Sequence, residues 1–240
     1  MQTISIPAFG GPEQLQAMDM PRPVAGAGEV LVKLEYAGIN FIDIYMRSGH
    51  YARSQTYKTP LPMTLGMEGA GTVAAVGAGV TEFAAGERVA YCIVRGSYAE
   101  YAVVPAARLV KVPAAVPLDI ATALMLQGCT AHYLAHSAFA LAPGTSCLVH
   151  AAAGGVGQLL VQLARLKGAT VLATAGSAEK AAIARKRGAD HVILYRDTDF
   201  RAAVMEITGG QGVDVVYDAV GKDTIHQSIR SLKKRGLCIN

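Results

Sequence analysis

The chain has 240 residues, 52% of them hydrophobic, and a formal net charge of +4. That length buries one large core or two modest ones. The charges are interspersed, so Arg185-Lys186-Arg187 reads as a solvated helix face rather than a nucleic-acid patch. Cys92, Cys129, Cys147 and Cys238 lie far apart with no C-x-x-C pair, which argues against a zinc ribbon or a disulfide scaffold and favours reduced thiols in the cytoplasm. No Lys, Arg, Asp or Glu occurs between Asp119 and Arg165, but Pro143-Gly144, three histidines and a glycine turn interrupt that stretch, so no membrane span is expected. The N-terminus carries no secretory signal.

In chain order, the first hundred or so residues read as short strands. Val30 to Tyr36 alternates with period two, as do the residues around Gly71–Val76. Turn signals recur at Gly10-Gly11-Pro12, Gly26-Ala27-Gly28 and Gly77-Ala78-Gly79. These predict a small, mostly antiparallel β domain over 1–117. From 118 to 240 the texture becomes α/β. Alanine-rich helices are predicted at about 118–126 and 130–140. Strands follow at 146–151, 170–175, 190–195 and 213–218, with helices from near Val156, Ala178, Thr198 and Asp223. A fifth strand is expected from near Gly236, and Asn240 falls where a doubly wound sheet would still need another strand and helix. The second domain therefore reads as incomplete.

The glycine turn carries most of the chemistry. Ala153, Gly154, Gly155, Val156 and Gly157 stand between an apolar strand and an amphipathic segment, the order of a dinucleotide-binding unit. Gly154 lets the backbone approach a pyrophosphate, Gly157 lets the helix pack on the sheet, and first-turn N–H groups face the phosphates. Ala152 occupies the place of the first glycine in the strict pattern. The second strand ends Ala175-Gly176-Ser177 without the carboxylate that binds a ribose 2′-hydroxyl. Lys180 follows in the first helical turn, where a cation pairs with the 2′-phosphate of NADPH. His132 and His136, four apart, could clamp a metal but read as ordinary helix-face residues. His150 reads as a core residue.

Five ordered motifs, Gly38–Asp43, Gly66–Gly71, Gly86–Val89, Gln127–Ala131 and Ala152–Gly157, resemble the zeta-crystallin-like quinone oxidoreductases of the medium-chain dehydrogenase/reductase superfamily. The resemblance covers the whole chain. It implies a GroES-like substrate domain beside a Rossmann domain, with NADPH in the cleft between them. Family members run on further, so the chain resembles a C-terminally truncated one. The resemblance also places Tyr195 near the adenosine ribose phosphate, Thr130 near the nicotinamide, and Asn40, Asp43, Tyr45 and Tyr51 at the substrate. Asp43 can equally be a capping residue, and Tyr51 a phenol donor or a loop aromatic. Glu68 reads as a backbone support rather than a base.

No metal is expected. The zinc alcohol dehydrogenases that share this architecture need a thiolate and an imidazole, and the equivalent motifs here offer Asn40 and Met67. The expected activity is NADPH-dependent reduction of a quinone by hydride or electron transfer. A 2-alkenal or enoyl-thioester reductase and a non-catalytic, crystallin-like nucleotide binder are the alternatives. The resemblance implies a homodimer, and RNA binding rests only on a pI near 8.9 and family analogy.

Overall fold

Strand alternation builds the first half of the molecule. A computed structural model describes all residues, Met1–Asn240, and divides into two units, Met1–Leu126 and Gln127–Asn240. In the first, β1 (Gln2–Ile6) pairs antiparallel with β2 (Gln16–Asp19), as do β3 (Glu29–Ala37) and a strand described below; α1 (Phe41–Arg47) follows β3. Next come β4 (Met63–Thr64), which also pairs with β1, then β5 (Glu68–Val76), β6 (Arg88–Cys92), β7 (Tyr101–Pro105) and β8 (Leu109–Lys111). The main sheet has five strands in the order β7-β3-β5-β6-β8, every pair antiparallel. Val30 and Val32 point to one face of β3, where they pack with Val73, Val89, Tyr91, Ala102 and Val104.

The predicted pair of helices at 118–126 and 130–140 is corrected. One helix, α2 (Leu118–Tyr133), runs unbroken and continues into a π-helical turn, Leu134–Ala138. A glycine inside a helix costs only about 1 kcal/mol relative to alanine, and Gly128 does not stop this one. The two units divide inside α2, whereas the sequence placed the boundary before it. The first part of α2 packs Leu118 and Ala121 against Ala70 and Ala90 of the β unit.

The second unit alternates strand and helix: β9 (Ser146–Val149), α3 (Gly155–Leu166), β10 (Thr170–Ala175), α4 (Ala178–Arg187), β11 (His191–Leu194), α5 (Phe200–Ile207), β12 (Val213–Tyr217), α6 (Ile225–Arg230) and β13 (Leu232–Ile239). Its five strands are parallel, in the order β11-β10-β9-β12-β13. Period two gives the sheet two apolar faces. Cys147, Val149, Val171, Ala173 and Val215 meet Leu160, Val161 and Ala164 of α3 on one side. Leu148, Leu172 and Val216 meet Phe200 and Val204 of α5 on the other. The chain leaves β9 toward β10 and later returns to its other side as β12. The strand order therefore reverses at β9, and such a switch point leaves a crevice at the carboxyl ends where ligands bind in this class of sheet.

The final strand starts at Leu232, earlier than expected. Lys233, Lys234 and Arg235 are exposed on this edge strand, and the register shifts between Val213 and Val215, so the apolar signal resumes only at Leu237.

Candidate cofactor and substrate sites

The glycine turn sits at the switch point. Ala151 holds φ 50° and its carbonyl accepts from Gly154 N at 2.8 Å. The first four-residue bond of α3 runs from Gln158 N to Gly154 O, so the amides of Gly155, Val156 and Gly157 precede the helical ladder. Gly154 and Gly155 are exposed, Ala153 and Val156 half-buried, and Gly157 buried. A Cβ on Gly157 would strike the Ala151 carbonyl oxygen and stand 2.8 Å from Ala152 Cα. The glycine is therefore required for the close packing of this helix on its own turn.

The adjoining strand end carries the other cofactor candidates. Ser177 caps α4 by accepting from Lys180 N at 3.3 Å, and the Lys180 side chain is exposed. Ala175 and Leu194 are paired, so β10 and β11 end together. Tyr195, 49% exposed, lies over this end: a Cβ built on Gly176 would be 2.8 Å from its hydroxyl. A polar pocket of about 310 Å³ opens beside it, lined by Tyr195–Phe200 and Gln227. Gly176, Ser177, Lys180 and Tyr195 thus share one rim. Thr130 is exposed on α2.

The substrate candidates separate into two kinds. Asn40 and Asp43 are 8% and 4% exposed. They form a reciprocal capping box at the start of α1, with Asn40 N donating to Asp43 Oδ2 at 2.9 Å. Asn40 Nδ2 also donates to Glu68 Oε2 at 2.8 Å, and the Tyr98 hydroxyl donates to Asp43 Oδ2 at 2.9 Å. Burial pushes both the Asp43 and Glu68 carboxyls above the usual carboxylate range, partly offset by these hydrogen bonds. Tyr45, by contrast, is 40% exposed and meets Tyr51 edge-on, ring centroids 6.1 Å apart at 88°. Tyr51 packs on Tyr57 at 4.9 Å. Burial, then the neighbouring phenols Tyr57 and Tyr45, raise the Tyr51 pKa above its ordinary 10.0.

Sequence reasoning missed Tyr98 as a partner of Asp43. It also missed how far Glu68 reaches: its Oε1 accepts from Leu126 N of α2 at 2.5 Å. A further polar group, described below, joins His150 to Asp218 and Ser228. The motif Gly66–Gly71 flagged Glu68, but a lone Asp or Ser in a chain carries no signal of its partner.

At the zinc-equivalent positions Asn40 is committed to its cap and to Glu68, and Met67 is buried beside Ile6, Met46, Met63 and Leu65. No group of three or more His, Cys, Asp or Glu is arranged to hold an ion. His132 and His136 stack ring on ring at 4.0 Å, and His136 Nδ1 meets the His132 carbonyl at 2.9 Å. An amide and a thioether do not fit a zinc ion.

Comparison with known proteins defines the class. Residues 26–114 match the alcohol dehydrogenase GroES-like domain, and residues 155–240 match the zinc-binding dehydrogenase family. Together they make this a two-domain medium-chain dehydrogenase/reductase. The chain is 42% identical over 232 residues to quinone oxidoreductase 1 of Escherichia coli, covering 96% of this chain and 69% of that protein. It is 44% identical over 232 residues to a 2-haloacrylate reductase of a Burkholderia species, covering 95% of this chain and 69% of that one. A crystal structure of Escherichia coli quinone oxidoreductase complexed with NADPH superposes with a TM-score of 0.94 at 42% identity, over 99% of this chain and 72% of that one. The chain belongs to the quinone oxidoreductase family of the medium-chain dehydrogenase/reductase superfamily.

Proposed function

We propose that this chain reduces quinones and related conjugated carbonyl compounds with NADPH, without a metal. One observation carries the reading: the helix-start amides of Gly155, Val156 and Gly157 open at the same carboxyl end of the sheet as Lys180 and Tyr195. Amides at a helix start bind a diphosphate, and a lysine with a phenol suits a ribose 2′-phosphate. The bound coenzyme supplies the hydride. The protein's own contribution is orientation and proton placement.

Tyr51 keeps its proton at neutral pH, because its pKa lies above 10.0. It donates from Oη to the substrate oxygen that gains charge as hydride arrives. Tyr45 offers an exposed aromatic face at 6.1 Å from Tyr51 for a flat, electron-poor ring. Asn40 and Asp43 hold the start of α1, and so the tyrosines, in place. Thr130 is assigned to the nicotinamide side by family resemblance alone.

The similarity to a 2-haloacrylate reductase favours a second substrate class, halogenated or plain enoates and enals. Both put hydride on a carbon conjugated to a carbonyl. Steady-state turnover of 1,4-benzoquinone and of a 2-alkenal with NADPH separates them. Failure of both acceptors to support NADPH consumption overturns the enzymatic reading, while faster turnover of the alkenal transfers it to the second class.

The domains are read as a substrate unit over 1–117 and a cofactor unit from 118. No helix is long and apolar enough to cross a membrane, and four cysteines that form no disulfide support a cytoplasmic setting. A homodimer of the full-length form rests on the family resemblance. RNA binding has only the basic pI of about 8.9 behind it and would show as a strongly salt-dependent affinity.

A further inference from the structure

Beneath the glycine turn lies a chain of side chains that no part of the proposed chemistry uses. His150, 4% exposed, follows β9 directly and precedes the strained Ala151. Its Nδ1 lies 3.0 Å from Thr174 Oγ1 on β10, and its Nε2 lies 3.0 Å from Ser228 Oγ on α6. Ser228 in turn donates to Asp218 Oδ2 at 2.6 Å. Thr174, Asp218 and Ser228 are each no more than 1% exposed. The Phe200 ring stands nearly perpendicular to the imidazole, centroids 4.8 Å apart at 82°.

The protons in this chain have one consistent arrangement. Asp218 is an acceptor, so the Ser228 hydroxyl spends its proton there. Ser228 Oγ must then accept from His150 Nε2–H, and a neutral imidazole protonated at Nε2 accepts at Nδ1 from the Thr174 hydroxyl. Burial lowers the His150 pKa against the opposing pull of Asp218, which keeps the ring neutral. The other oxygen of Asp218 gathers the next loop, accepting from Val220 N, Gly221 N and the Thr224 hydroxyl at 3.0, 2.9 and 2.7 Å.

The placement of this chain gives it a task. Thr174 reaches the turn twice, since its carbonyl accepts from Ala152 N at 3.3 Å while its hydroxyl serves His150. The backbone of His150 is held by the Tyr217 carbonyl at 3.1 Å. Ends of three parallel strands and the body of α6 are therefore tied to the residue from which the glycine turn springs.

We propose that His150, in its Nε2–H tautomer, is a positioning residue. With Thr174, Ser228 and Asp218 it sets the Ala151–Gly157 turn in the conformation that grips the dinucleotide diphosphate. This rests on the NADPH reading for its ligand but not for its geometry. It sharpens that reading by making coenzyme affinity depend on residues that cannot touch the coenzyme.

The test uses the full chain carrying Thr174→Val, which keeps shape and removes the donor to Nδ1, Thr174→Ser, which restores a hydroxyl, and Ser228→Ala. NADPH dissociation constants come from the fluorescence of the reduced coenzyme, turnover from quinone reduction, and the tautomer from ¹⁵N resonances of the imidazole. Amide hydrogen exchange at Gly154–Gly157 reads the turn without any ligand. Thr174→Val and Ser228→Ala are expected to weaken NADPH by about tenfold, the size of one buried hydrogen bond. Turnover at saturating coenzyme stays within about twofold, turn amides exchange faster, and Thr174→Ser behaves as the parent.

Folded variants with parental exchange at the turn, or a parent imidazole protonated at Nδ1, overturn the proposal. A parent that binds no NADPH while its turn amides still loosen in Thr174→Val defeats the cofactor reading and leaves the positioning claim standing.

Discussion

The two units solve the problem of presenting polar groups in opposite ways. In the parallel-sheet unit the candidates are mostly backbone or exposed: Gly154, Gly155, Ser177 and Lys180 all face solvent. In the antiparallel unit half of them, Asn40 and Asp43, are buried and bonded to each other, to Glu68 and to Tyr98. A dinucleotide site needs amides at a helix start, and glycines provide these at a surface. The aromatic substrate face proposed above needs a rigid base, and the buried Asp43 and Glu68 carboxyls would supply it. The lesson is that a polar residue in a recognised motif belongs either to the chemistry or to the frame beneath it. Burial decides which.

The contrast breaks most severely at Gly157. In Gly157→Val the new Cβ meets the Ala151 carbonyl and Ala152 Cα. Overpacking of this kind costs roughly 1–3 kcal/mol or more, and NADPH binding should be lost with it. Chemical denaturation and coenzyme titration check both, and parental values would show that the turn tolerates a side chain. Next in size, Tyr51→Phe should lower turnover about 10- to 100-fold if the phenol proton is used, with an unchanged melting temperature. Asp43→Ala should do the reverse. Its loss leaves Asn40 N and the Tyr98 hydroxyl without their acceptor, each at a cost of about 1–3 kcal/mol, and turnover by the surviving folded enzyme should change less than in Tyr51→Phe. If the two variants exchanged these signatures, the division of labour within the β unit would be wrong.

Glu68→Leu leaves two donors, Asn40 Nδ2 and Leu126 N, without their acceptor. Each buried, unsatisfied donor costs about 1–3 kcal/mol. Glu68→Gln keeps the shape and one acceptor oxygen, so its loss should be smaller, and equal losses would mean that packing rather than hydrogen bonding holds this site.

The mildest contrast is in pH. Burial raises the Glu68 and Asp43 pKa values above 4.5 and 3.8, so the folded β unit binds more protons than its unfolded chain across that window. Its stability from these groups falls as pH rises from there toward the raised values. His150 shifts the other way, below 6.5, so the parallel-sheet unit loses stability as pH falls from 6.5 toward its lowered value. Burial pushes the Asp214 and Asp218 carboxyls up, but their hydrogen bonds outweigh it and leave both below 3.8, so they add to that loss at still lower pH. Hydrogen exchange at pH 7 and pH 5 should therefore show the second unit opening first on acidification. Simultaneous opening would remove the electrostatic difference.

Much of the second unit was legible because local signals agree with its fold. A strand, a glycine turn and an amphipathic helix occur in the order that the parallel sheet requires, and β10, α4 and β12 fall close to where alternation and capping place them. The continuity of α2 was not legible, since Gly128 reads as a break when the packing of Leu118 and Ala121 on Ala70 and Ala90 is unseen. The start of β13 was hidden by three consecutive basic residues on an exposed edge. At the sites, the glycine turn before α3 could be read because glycine is itself the signal. The partnerships of Glu68 with Leu126, of Tyr98 with Asp43 and of His150 with Ser228 join residues 58, 55 and 78 positions apart. Nothing in a local pattern encodes them.

The most direct measurement is the ratio of dissociation constants for NADPH and NADH in the parent and in Lys180→Asp. The account predicts that the parent prefers NADPH and that reversing the charge beside the Ser177 cap weakens NADPH by at least about tenfold more than NADH. Equal losses for the two coenzymes, or a parent indifferent to the 2′-phosphate, would contradict it.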